Sequence, residues 1–159
     1  MASGCLTYPS GSEESGGHYS NGEVQFDYPT TWKFEKDNGL FRINSSNGIN
    51  NNTTFYFDKL FTNESLEKLV AIQKNTMLNP SNHIISEKNL TVDNSPSYEI
   101  VYTARTNKTA TYQERMVMIK KYSPTYKEEL LYFIWADRPE WDQTSTDEFN
   151  IVIKTFHIL

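Results

Sequence analysis

The spacing of apolar residues changes along this chain, and this change of period constrains the fold more than any single motif. Val24, Phe26 and Tyr28 alternate with polar residues, which predicts a β-strand. Residues 66–77 instead carry apolar side chains every three or four positions, which predicts a helix. Strand spacing then returns, and residues 149–156 show helical spacing again. The chain therefore combines one set of strands with two separate helices.

The predicted elements follow the order strands, helix, strands, helix. We expect strands at residues 23–28, 32–34, 40–44, 54–60, 83–92, 98–104, 111–121 and 129–135, and helices at 64–79 and 143–157. Strands joined by short turns run antiparallel. The sequence therefore predicts an α+β fold, in which an antiparallel β-sheet is flanked by two helices.

The large apolar residues of these elements are expected to share one core. The side chains predicted for it are Phe26, Trp32, Leu69, Val101, Val117, Phe133, Val152 and Phe156. Each lies on the apolar side of its element.

Residues 1–20 are predicted to be a flexible tether, and residues 21–159 the folded domain. The first 20 residues contain four of the seven glycines and show no periodic apolar pattern. A segment of this composition cannot bury enough apolar surface to offset the entropy lost on ordering.

Cys5 is the single cysteine of the chain, so an internal disulfide is excluded. Small residues precede it in Ala2-Ser3-Gly4, and a Ser/Gly/Glu segment follows it. This arrangement resembles the lipid-attachment site of exported lipoproteins, which implies that Cys5 carries a lipid anchor and that the domain is extracytoplasmic and membrane-anchored. The alternative is a cysteine placed by chance in an unstructured start.

Asparagine sequons also favour export. Six Asn-x-Ser/Thr sequences are present, at Asn44, Asn51, Asn52, Asn63, Asn89 and Asn107. The alternative is an asparagine-rich composition in which such sequences arise without being glycosylated.

One short phrase resembles a known family. Phe26, Tyr28, Pro29 and Trp32 form the pattern F-x-Y-P-x-x-W, and an apolar I-x-x-F segment ends at Phe156. Together with the element order, they resemble the PsbP-like domains over about residues 20–159. The resemblance implies an α/β/α sandwich and a non-catalytic role. The best-known domains of this kind are extrinsic subunits on the lumenal side of photosystem II, and others of the same fold are adaptor-like. It assigns no binding residue in this chain.

The sequence shows no motif for catalysis, cofactor binding or nucleic-acid binding. Residues 49–159 contain no glycine, so the common phosphate-binding loops are excluded there. His18, His83 and His157 lack the spacing of metal ligands. The net charge is −5 and the longest basic run is Lys120-Lys121, which argues against nucleic acid. We therefore predict no cofactor, no catalytic residue and no enzyme activity.

Two groups of residues are candidates for binding. Asp137, Glu140 and Asp142 bring three carboxylates into one strand-to-helix connection, as a hard cation such as Ca²⁺ would require. Helix capping and an Asp–Arg pair would explain the same residues. The candidate binding surface consists of Tyr112, Tyr122, Tyr126 and Trp141. Packing of these rings on the sheet is the alternative.

These observations favour a non-catalytic, membrane-tethered domain that binds a protein partner or the cell envelope. The second hypothesis is a lipoprotein that binds a small ligand or a cation in the cleft between sheet and helix. A third is a hydrolase with dispersed residues, which a buried carboxylate of raised pKa in a deep cleft would favour.

Overall fold

The computed structural model describes residues 17–30, 32–37, 40–45, 54–77, 82–106 and 110–159, some of them by their backbone alone. The strands are β1 (Gly17–Ser20), β2 (Val24–Tyr28), β3 (Trp32–Asp37), β4 (Leu40–Ser45), β5 (Thr54–Phe61), β6 (Ile84–Val92), β7 (Ser95–Thr106), β8 (Ala110–Ser123), β9 (Glu128–Arg138) and β10 (His157–Ile158). The helices are α1 (Leu66–Met77) and α2 (Gln143–Thr155). The predicted α+β fold is confirmed.

A five-stranded antiparallel sheet forms the centre of the domain, in the order β5-β9-β8-β7-β6. The β6–β7 hairpin turns through Asp93 and Asn94, whose φ values are 48° and 58°. Two consecutive positive φ angles are required by a two-residue turn of type I′, and Asp and Asn tolerate them better than most residues. Strand β6 contains a β-bulge between Ile84 and Ser86.

A second, three-stranded sheet joins the two ends of the described chain, in the order β1-β2-β10. Strand β1 lies within the predicted tether, so Gly17–Ser20 belong to the fold and not to a flexible segment. An added Cβ at Gly17 would lie 2.0 Å from Cζ of Tyr28, so no larger residue fits there without displacing that ring. Strands β3 and β4 form a separate two-stranded ladder.

The five-stranded sheet buries a separate core on each face, so the prediction of one shared core is wrong. On the face under α2, the core contains Phe26, Trp32, Val117, Val152 and Phe156. On the face under α1, it contains Leu69, with Phe133 half-buried against it. Val101 belongs to neither core. Successive side chains of a strand point to opposite faces, so a sheet with a helix on each side has two apolar surfaces.

Helix α2 begins where the sequence predicts it. Asp142 caps its first turn, because its side chain accepts a 2.7 Å hydrogen bond from the backbone N–H of Ser145. The Ser145 hydroxyl in turn accepts a 3.0 Å hydrogen bond from the backbone N–H of Asp142, which completes a reciprocal capping box. The helix ends at Thr155 rather than 157, because His157 and Ile158 pair with β2.

Candidate functional site

A cleft of about 310 Å³ opens between α2 and the α2-side face of strands β6, β7 and β8. Trp141 lines one wall, Val101 and Ile85 line the sheet side, and Asn150 lies on the helix. Arg115, on β8, projects into it from the sheet. The cleft matches the general location that the small-ligand hypothesis named.

Arg115 and Glu99 form a buried ion pair at the base of the cleft. Both residues are 4% exposed, and Nη2 of Arg115 lies 2.6 Å from Oε2 of Glu99. The guanidinium also donates to Oδ1 of Asn150 at 2.8 Å and to the backbone carbonyl of Thr146 at 3.3 Å. The pair therefore ties α2 to the sheet through directional bonds. A buried charge is tolerated only when it is paired in this way.

A pair of acids lies on the opposite face of the same sheet. Glu114 on β8 and Asp137 on β9 are direct register partners, and Tyr102 on β7 is the partner of Glu114 on its other side. The Tyr102 hydroxyl donates to Glu114. Burial, followed by the neighbouring Glu114 carboxylate, raises the pKa of Asp137 to about 8. Asp137 is therefore protonated at neutral pH.

This pair meets only part of the condition for a hydrolase, which is a buried carboxylate of raised pKa in a deep cleft. It contains a carboxyl group of strongly raised pKa beside a second acid, but neither Glu114 nor Asp137 lines the cleft under α2. Asp137 and Glu114 lie on the face of the sheet opposite the cleft. Adjacent residues of a strand point to opposite faces, so Glu114 points away from the cleft into which Arg115 projects.

The three carboxylates proposed for a cation do not act as one group. Asp137 faces Glu114, Asp142 caps α2, and Glu140 is exposed on the connection between them. In the part of the chain that the structure describes, no group of three or more His, Cys, Asp or Glu side chains is placed to hold a metal ion. Helix capping therefore accounts for Asp142. Arg138, predicted to pair with an Asp, lies 3.9 Å from Glu148.

The four aromatic residues predicted to form a binding surface lie in three different places. Tyr112 is half-buried against the core under α1, and Trp141 packs on Phe149 beside the cleft. Tyr122 and Tyr126 are exposed at the β8–β9 turn. The predicted surface is therefore not continuous.

Tyr126 instead forms a small exposed aromatic patch with Phe61, which the sequence did not predict. Phe61 ends strand β5, and the two residues are 51% and 38% exposed, whereas Leu60 and Tyr122 are exposed on the opposite face of the sheet. The Phe61 and Tyr126 rings meet edge to face, with centroids 5.2 Å apart. The sequence of β5 shows the ordinary alternation of a strand and does not mark Phe61 as exposed. The pairing of β5 with β9 brings Phe61 to the β8–β9 turn and so reveals the patch.

The remaining predicted sites are scattered. Cys5, Asn51, Asn52 and Asn107 lie outside the described residues, and Asn44 is described only by its backbone in β4. Asn63 and Asn89 are exposed, as glycosylation would require. Two of the histidines bind carboxylates: His18 lies 2.7 Å from Asp27 and His157 lies 2.5 Å from Asp93.

The fold and the sequence together define the class of the protein. The sequence model of the PsbP-like protein family matches residues 8–158, so the chain belongs to that family. The resemblance seen in the F-x-Y-P-x-x-W phrase is thereby confirmed. No protein of curated function matches the chain.

Solved structures share the fold at low sequence identity. LpqN of Mycobacterium tuberculosis, described as involved in cell envelope biogenesis, is 12% identical over 85% of this chain and 82% of its own, with a TM-score of 0.65. The PsbP protein CyanoP of Synechocystis is 15% identical over 96% of this chain and 98% of its own, with a TM-score of 0.63. A Pseudomonas aeruginosa protein of unknown function, described as a putative regulator, is 12% identical over 84% and 87%, with a TM-score of 0.53.

The described helices give no indication of a membrane span. None of them is both long enough and apolar enough to cross a bilayer.

Proposed function

We propose that this domain is a non-catalytic, extracytoplasmic binding module, tethered to a membrane through Cys5, which binds a protein partner through the exposed patch. The patch consists of Phe61 and Tyr126. The name of the LpqN relative, with its role in the cell envelope, supports export of this chain. The lone cysteine among small residues supports the tether.

The exposed patch is the observation that carries the proposal. Large apolar side chains that remain exposed together at one end of a folded domain are typical of interaction surfaces. Tyrosine combines a large apolar ring with a polar hydroxyl and is frequent in protein interfaces. Lys59 lies 4.1 Å from the centroid of the Tyr126 ring and adds a cation beside it.

The position of the patch favours a protein over a lipid surface. Strand β9 begins at the patch and ends at Arg138, and its 11 residues span about 35 Å. Trp32 lies at the far end, where its indole N–H donates to Glu148 at 3.1 Å. Gly17 pairs with Tyr28 near that end, so the tether enters the domain away from the patch. A tethered domain would thus present the patch away from its attachment point.

Site-specific photo-crosslinking in the native membrane tests the patch. A photoreactive phenylalanine analogue replaces Phe61 in the full-length protein, and the same analogue replaces Ile72 on α1 as the control. The two residues are 51% and 50% exposed, so they differ in position rather than accessibility. We expect a discrete protein adduct from position 61 only, and we expect it to disappear when Tyr126 is changed to Ser.

Two results would overturn the patch proposal. One is an identical set of adducts from positions 72 and 61. The other is an adduct of position 61 that consists of lipid, which would place the patch on the membrane. Circular dichroism of the Tyr126→Ser variant confirms that a lost adduct does not come from unfolding.

The tether is tested separately. Expression of the full-length gene with Cys5→Ser should release the protein from the membrane fraction, whereas Ser10→Cys added to that variant should not restore attachment. A Cys5→Ser protein that stays in the membrane fraction would remove the lipid anchor from the proposal and leave the patch untouched.

A further inference from the structure

The cleft under α2 offers free hydrogen-bond donors, while the amide and carboxylate side-chain oxygens that line it are already engaged. Oε1 of Gln113 accepts from the backbone N–H of Trp141 at 3.1 Å, and Oδ1 of Asn150 accepts from Arg115 at 2.8 Å. A backbone N–H and a guanidinium only donate, so both amide orientations are fixed by chemistry. The NH₂ groups of Gln113 and Asn150 therefore have no partner among the described residues.

The carboxylate of the cleft is also fully engaged. Oε1 of Glu99 lies 3.2 Å from the Lys88 ammonium, and Oε2 lies 2.6 Å from the Arg115 guanidinium. Two cations and one anion leave the cleft with one uncompensated positive charge, in a chain whose net charge is −5. A ligand with one negative charge would balance it, and a second negative charge would lie unpaired beside Glu99.

The walls of the cleft limit the rest of the ligand. Trp141, Val101 and Ile85 supply apolar surface, and Ile85 is 49% exposed. The volume of about 310 Å³ is near the lower limit for small-ligand pockets, which is about 300 Å³. The ligand that fits has an apolar body and one compact, charged end.

We propose that this cleft binds a small organic carboxylate. Its two oxygens would accept hydrogen bonds from the amide groups of Gln113 and Asn150, and its charge would face Lys88 at the mouth. A carboxylate carries the single charge and the acceptor pair that the cleft lacks. This proposal is independent of the patch, which lies at the opposite end of β8.

A matched pair of probes tests the charge requirement. The acid 3-phenylpropionate and its uncharged amide, 3-phenylpropionamide, are titrated into the ¹⁵N-labelled protein at constant ionic strength and pH 7. We expect the acid to shift the side-chain amide signals of Gln113 and Asn150 and the indole signal of Trp141 saturably, with a dissociation constant on the order of 1 mM. The amide should cause no saturable shift.

Two pairs of variants localise the binding. Lys88→Gln should weaken it about three- to fivefold, whereas Lys68→Gln should not, since Lys68 lies on α1 with an equally exposed side chain, 58% against 60%. Asn150→Asp keeps the acceptor for Arg115 but replaces the free donor by a negative charge, so it should abolish binding. Asn63→Asp, at an exposed site outside the cleft, should leave binding unchanged.

One further comparison distinguishes a free organic acid from the C-terminal carboxylate of a peptide as the ligand. An acetylated tripeptide that ends in phenylalanine is titrated with a free and with an amidated C-terminus. Tighter binding of the free peptide than of 3-phenylpropionate assigns the site to a peptide end, and weaker or equal binding assigns it to a free acid. The proposal is overturned if the amide probe binds as well as the acid, if inorganic phosphate binds more tightly, or if no cleft signal moves.

Discussion

Glu114 and Asp137 face each other across neighbouring strands, and the pKa of Asp137 is raised to about 8. Burial raises it first, and the hydrogen bond and charge of Glu114 add to the effect. A carboxyl group that is neutral at physiological pH is thus part of the folded structure, on the α1 side of the sheet, where Glu114 separates it from Tyr102. Its ionisation provides the first test.

The stability of the domain should fall as the pH rises from about 4 to about 8. The folded state keeps the Asp137 proton up to its pKa of about 8, whereas the unfolded chain loses it near the ordinary value of 3.8. The folded state therefore binds more protons in this window, and stability decreases with pH. The full shift corresponds to about 6 kcal/mol, and partial solvation reduces the expected loss to on the order of 2–3 kcal/mol.

Asp137→Asn isolates this effect, because it removes the ionisation and keeps the shape. When the pH is raised from 5 to 9, the free energy of unfolding of the variant should increase relative to that of the original protein by on the order of 2–3 kcal/mol. Urea unfolding at both pH values measures this difference. Glu140→Gln, at an exposed carboxylate, is the control. Identical pH dependence in the original protein and the Asp137 variant would contradict the raised pKa.

The Glu99–Arg115 pair should show strong coupling. Glu99→Gln leaves the guanidinium buried without a counter-charge, so we expect a loss of about 3–5 kcal/mol in the free energy of unfolding. The double variant Glu99→Leu/Arg115→Met removes both charges and should be more stable than Glu99→Gln. Urea unfolding of Glu99→Leu, Arg115→Met and the double variant completes a double-mutant cycle, and simple additivity of the two single changes would count against the pair.

Truncation of Phe133 and Phe156 should have unequal effects, although the sequence places both residues in one core. Phe156 is 2% exposed and packs on Phe57 with ring centroids 5.8 Å apart, so Phe156→Ala should cost about 3–5 kcal/mol. Phe133 is only half-buried against the α1 core, so Phe133→Ala should cost about half as much. Thermal and urea unfolding of both variants decide this. Equal losses would show that Phe133 is buried more deeply than described.

Asp142 should stabilise the domain as a helix cap and not as a cation ligand. Asp142→Ala should cost about 1 kcal/mol, while Glu140→Ala should be close to neutral. Addition of millimolar Ca²⁺ should not change the unfolding temperature of the original protein or of either variant. A rise in that temperature with Ca²⁺, lost in the Asp142 variant, would restore the cation site.

The secondary structure was largely predictable because it depends on local spacing. The periods of two and 3.6 placed both helices and most strands to within a few residues, since alternation reflects burial of one side of an element. The two short strands, β1 and β10, were missed. Their sequences, Gly17–Ser20 and His157–Ile158, become strands only because β2 lies between them.

The sites were less predictable, because each depends on residues that are far apart in the chain. The Glu99–Arg115–Asn150 cluster joins β7, β8 and α2, and the exposed patch joins the end of β5 to the β8–β9 turn. Individual residues such as Trp141 and Tyr126 were recognised, but not their partners. Neither glycine content nor motif spacing carries information about such contacts.

The adjacent residues Glu114 and Arg115 show which features depend on the sequence alone and which depend on tertiary structure. The sequence by itself determined that they lie in one strand and point to opposite sides, because a β-strand alternates its side chains. Tertiary structure alone decided that a helix covers each side, that Asp137 lies opposite Glu114, and that Glu99 and Asn150 surround Arg115. Strand pairing and helix docking bring together residues from distant segments, and their burial sets the charge and hydrogen bonding of each site.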